Sequence, residues 1–100
     1  PSTGMYLAPL SSAQVTSISS TQIAVDAGSQ PPSGGGIEVR RTDGGWGTGN
    51  DRNLAGRFST QTFALPRLSR VQDYYLRQYD ASSPPKYSRN SMLLHVDYPL

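Results

Sequence analysis

Apolar side chains recur at every second position in several short runs of this chain, the period of a strand that buries one face. In residues 21–27 the alternation turns Ile23, Val25 and Ala27 to one side, and in residues 37–42 it does the same for Ile37 and Val39. Residues 73–80 send Tyr74 and Leu76 one way and Tyr75, Arg77 and Tyr79 the other. Residues 87–98 place Met92, Leu94 and Val96 on one face and Leu93, His95 and Asp97 on the opposite one. A first β-like run starts at Ser11 and carries Val15 and Ile18. A further strand over residues 57–65 holds two alternating sets. Of these, Phe63 and Leu65, continued by Leu68, form the expected buried set, and Phe58 is left to cover an edge or a loop.

The runs are separated by breakers. Residues 28–36 are rich in glycine, serine and proline and read as a loop. Residues 42–45, Thr-Asp-Gly-Gly, predict a hairpin turn of type I′, because Asp-Gly tolerates positive φ. Residues 47–56 are again turn-rich, Pro84 and Pro85 stiffen the loop after Asp80, and Pro99 ends the last strand for want of an amide hydrogen. Residues 1–10, with prolines near both ends, read as an extended lead-in or linker, and residues 11–99 as one domain. The sum is seven short strands, and two antiparallel layers are the natural way for them to bury one face each. The predicted class is an all-β sandwich.

Composition narrows the alternatives. A chain of 100 residues supports one core. A hydrophobic fraction of 35%, with no Ala/Leu/Glu/Lys-rich run, favours strands and turns over long helices. The net charge is only +2, with eight arginines and Lys86 interspersed among seven acids, less than an electrostatic nucleic-acid binder concentrates. Zero cysteine removes disulfides, thiolate metal sites and a cysteine nucleophile, and leaves the redox compartment open. No apolar run approaches the ~20 residues of a membrane span, nor is there a charged and apolar leader at the start, although processing would hide one.

Candidate chemistry is sparse. The glycines of residues 34–36 precede a strand, whereas a phosphate cradle needs them to open a helix. His95 is the only histidine; Leu93 and Asp97 are its expected neighbours on one strand face, and no serine is singled out as a nucleophile. The carboxylates are scattered with no calcium-loop spacing, and Asp73 and Asp80 read as turn caps. No catalytic, cofactor or metal residue is therefore assigned. Trp46, Tyr75, Arg77, Tyr79 and Tyr87 form an outward aromatic and arginine set. Such a set serves as cross-strand support, as a protein interface or as a platform for sugar rings.

A family resemblance attaches to particular residues. Ile23-Ala-Val25 resembles the second strand of a fibronectin type III domain, Ile37-Glu-Val39-Arg40 its third, and Phe63-Ala-Leu65-Pro-Arg-Leu68 with Tyr74-Tyr-Leu76-Arg77 its fifth and sixth. The resemblance implies a seven-stranded immunoglobulin-like sandwich with a tyrosine corner at Leu68 and Tyr74, whose phenol bonds backbone a few residues upstream. Ala27 stands where the family commonly buries a tryptophan, so other bulk must fill that space. Residues 40–47 and 75–80 also resemble modules of bacteriophage tail and related virion proteins. The resemblance implies a non-catalytic structural or adhesion module, located in a virion (a phage tail or capsid surface) or outside the cell. Its implied partners are neighbouring protein subunits, without cofactor, nucleic acid or membrane insertion. The alternative is a carbohydrate-binding module of a secreted bacterial enzyme or adhesin, with a glycan as partner.

Overall fold

The alternating runs form strands because each sets small β-branched or aromatic residues toward a shared interior. The structure is a computed structural model and describes residues 13–47, 49–67 and 71–97. The strands are β1 (Gln14–Ile18), β2 (Gln22–Asp26), β3 (Gly36–Arg40), β4 (Leu54–Phe58), β5 (Thr62–Pro66), β6 (Val71–Tyr79) and β7 (Met92–Asp97). They build two antiparallel sheets, ordered β1-β2-β5 and β4-β3-β6-β7.

The interior is the one the alternation predicts. Ile23, Val25 and Ala27 of the first sheet face Ile37, Val39, Tyr74, Leu76, Leu94 and Val96 of the second, and Leu65 closes the set. On β7 the complementary face is open, with Leu93 half exposed. Fully burying each such side chain contributes about 1.5–3 kcal/mol, the driving term for closing the two sheets.

Three local expectations are corrected. The single strand over residues 57–65 is two strands in different sheets. Residues 59–61 turn the chain over, with the Thr60 hydroxyl donating to the Thr62 carbonyl at 2.7 Å. The turn resets the alternation, so Phe58 and Phe63 both point inward and stack with centroids 4.3 Å apart. Phe58 therefore packs on the core rather than covering an edge. Both rings pack against the core cluster that includes Ala27, whose amide bonds the Gln61 carbonyl.

The tight hairpin at residues 42–45 is absent, since no described non-glycine residue has positive φ and Asp43 cannot then enter a type I′ turn. The returning strand begins only at Leu54, and the Arg41 amide closes the long loop onto the Asn53 carbonyl. The last strand is shorter than residues 87–98, because Tyr87 joins Tyr79 through an isolated bridge before β7 starts.

The Tyr74 side chain is fully buried between the sheets. Its hydroxyl donates to the Pro66 carbonyl at 2.8 Å and accepts from the Gln72 side-chain amide. It thus tethers β6 to the end of β5 in the opposite sheet. Leu68, expected as the other half of this corner, lies outside the described residues.

Candidate functional site

Strand β3 is buried on both faces, which its Ile-Glu-Val-Arg sequence does not announce. Glu38 and Arg40 point to the outer face of the four-stranded sheet, yet both are 0% exposed. Residues 41–47 and 49–53 fold back over them and act as a polar lid. Register aligns Arg57, Glu38 and Arg77 in one row across β4, β3 and β6.

The Glu38 carboxylate is the hub. Its Oε2 accepts from Arg40 Nε at 2.8 Å and from the Gly47 amide at 3.1 Å. Its Oε1 accepts from Arg57 Nε at 3.0 Å and from the Tyr87 hydroxyl at 2.7 Å. Arg40 spends its remaining donors on the lid, reaching the Asn50 carbonyl at 2.6 Å, Asn53 Oδ1 at 3.1 Å and the Gly47 carbonyl at 2.9 Å. Gly47 fits under these groups with φ +130, a conformation that favours glycine. Asn53 ties the lid to itself through Thr42 and Gly44.

Burial pushes the Glu38 carboxyl up, but the bonds from Tyr87, Gly47, Arg40 and Arg57 outweigh it and hold the group below the ordinary carboxylate range. The same burial, together with the Glu38 charge, raises the Tyr87 phenol well above its usual value. Tyr79 is also raised, again chiefly by burial.

The five outward residues singled out in the sequence, Trp46, Tyr75, Arg77, Tyr79 and Tyr87, all lie half-buried on or over this face. Tyr79 and Tyr87 rings meet at 5.5 Å, tilted by 38°. The Arg77 guanidinium sits 5.0 Å from the Trp46 ring centre, and the indole N–H donates to Asp43 at 3.3 Å. Much of the set's contact capacity is therefore spent inside the molecule. Sequence reasoning missed Glu38, Arg40 and Arg57 as members. The available signal was a charged alternation on a central strand followed directly by a glycine-rich, tryptophan-bearing loop long enough to cover it.

Comparison with protein-family models, curated proteins and solved structures returns no match.

Further along this face, toward the start of β6, His95 does not pair along its own strand as expected. It lies across from Asp73, Nδ1 to Oδ1 at 2.5 Å, so Asp73 is an exposed cross-strand partner and not a turn cap. Asp80 does cap its turn, accepting from the Ser82 and Lys86 amides at 3.0 and 2.9 Å. A groove of about 410 Å³ runs between β1 and β7, lined in part by Val15, Ile18, His95 and Asp97. Among the described residues no cluster of three or more His, Asp or Glu is arranged to hold a metal ion, and no helix is long and apolar enough to cross a membrane.

Proposed function

We propose that the chain is a fibronectin type III-like module that works without catalysis, by contact with neighbouring protein subunits of a larger assembly. The observation that carries the fold half of this reading is the strand partition into β1-β2-β5 and β4-β3-β6-β7, joined by the buried Tyr74 hydroxyl on the Pro66 carbonyl. Two antiparallel sheets tied by a tyrosine hydroxyl to backbone upstream support the reading that the resemblance suggests. A rigid sandwich of this kind functions through the faces and loops it presents.

The outer face favours a protein contact over a sugar platform. Sugar stacking needs an open aromatic face, but Arg77 lies over the Trp46 ring and Tyr79 leans on Tyr87. Half-exposed Leu93 and Val71 lie on the same sheet face and add the apolar area that interfaces use. The setting, a virion or an extracellular structure, rests on the resemblance of residues 40–47 and 75–80 to phage tail modules.

A glycan array and a partner screen against the parent assembly test the proposal together. The expected result is a specific protein contact weakened by Leu93→Asp, with no glycan bound. Sugar binding that Trp46→Ala abolishes would replace it with the carbohydrate-binding reading.

A further inference from the structure

Within the outer-face cluster one cation differs from the rest. Arg40 and Arg57 each meet a carboxylate, Glu38 for both and additionally Asp51 for Arg57 at 3.7 Å. Arg77 meets none. Its Nε is buried without an acceptor, and among the described residues no carboxylate or carbonyl receives a hydrogen bond from its guanidinium. The single carboxylate in its row is saturated, since Glu38 already accepts from Arg40, Arg57, Tyr87 and Gly47. The row Arg57-Glu38-Arg77 therefore carries surplus positive charge at its β6 end.

We infer that Arg77, held on the Trp46 indole one position along from the Tyr75–Leu93 pair, is the docking point for an aspartate or glutamate side chain of a protein partner. The inference rests on the protein-contact reading proposed above and names the chemistry of that contact. Three observations select it. A guanidinium held against an aromatic ring keeps its fork fixed, so little entropy is lost when a carboxylate arrives. The cation is not neutralised internally, so an incoming acid gains a charge-assisted pair without breaking an existing one. And Leu93, 50% exposed and paired with Tyr75 next along the face, offers apolar contact that excludes water beside the arginine, the residue type that interface hot spots favour.

The test follows the backbone and side-chain N–H signals of the whole chain by NMR during titration with a capped tetraglutamate peptide. Capped tetraglutamine serves as the uncharged control and tetragalacturonate as the acidic sugar. The expected result is saturable movement of the Trp46 indole N–H and the Arg77 and Leu93 amides with tetraglutamate alone, weakened at least fivefold in Arg77→Gln and unchanged in Arg52→Gln. Retained dispersion of the variant spectra checks the fold. Equal response in Arg77→Gln, no saturable response, or a response to tetragalacturonate as strong as to tetraglutamate each overturns the inference. The first two leave the module reading intact, because a contact elsewhere on the sandwich remains open to it. The third counts against both.

Discussion

Glu38→Gln is the sharpest probe of how the outer face is held. The substitution keeps size and shape but removes the one negative charge that, among the described residues, is buried beside Arg40, itself 0% exposed. Removing one partner of a buried ion pair costs about 3–5 kcal/mol. The remaining carbonyl bonds of Arg40 to residues Asn50 and Gly47 place this case toward the low end, about 3 kcal/mol. In a chain of this size ~1 kcal/mol moves Tm by about 4–8 °C, so the expected fall is roughly 12–24 °C. Thermal unfolding followed by circular dichroism and Trp46 fluorescence measures it. The double variant Glu38→Gln/Arg40→Met is expected to lose less than the sum of the single changes, since no unpaired charge stays buried. The pH arm has a definite sign. The folded Glu38 carboxyl lies below its ordinary value of 4.5, so its contribution is full above that pH and is lost as pH falls through the lower folded value. The wild-type chain should weaken on acidification more steeply than Glu38→Gln. A Tm loss under about 4 °C, or identical acid profiles, would refute the hub role.

Other outcomes follow from the same structure. Tyr74→Phe removes the hydroxyl that joins β6 to Pro66 and should cost about 1–2 kcal/mol in urea unfolding with an unchanged m-value. Gly35→Ala would set a Cβ 2.0 Å from the Tyr79 carbonyl, a backbone atom that cannot step aside, whereas Gly44→Ala meets nothing within 4 Å; the first should fail to fold or lose several times the stability lost by the second. Tyr87 should ionise late in an alkaline absorbance titration, and Tyr87→Phe should remove that late step. Because its folded value is raised, its stabilising effect holds below about pH 10 and fades as pH climbs toward the folded value.

The inner faces were legible because burial on one side of a strand leaves a two-residue signature, as at Ile23/Val25, Ile37/Val39 and Leu94/Val96. Places where chemistry departs from that signature were not. At residues 59–61 the chain changes sheet without a glycine or proline, so the alternation reads straight through the turn. At β3 the outer residues are charged, which ordinarily marks solvent, and only the returning lid makes them interior. The aromatic and arginine members of the face were visible as residue types, but their anchoring acid, Glu38, was not. Its role depends on four donors from four separate stretches of chain.

The order of the strands also fixes how the module would carry load. Strands β1 and β7 each lie at one edge of their sheet, and the antiparallel pairings with the reversal at residues 59–61 make them run in the same direction. Tension applied at the start of β1 and the end of β7 therefore slides strands lengthwise, stretching many backbone bonds at once. The five-residue β1, interrupted by a register shift between Val15 and Ser17, holds fewer of them than β7 and would be the first to yield.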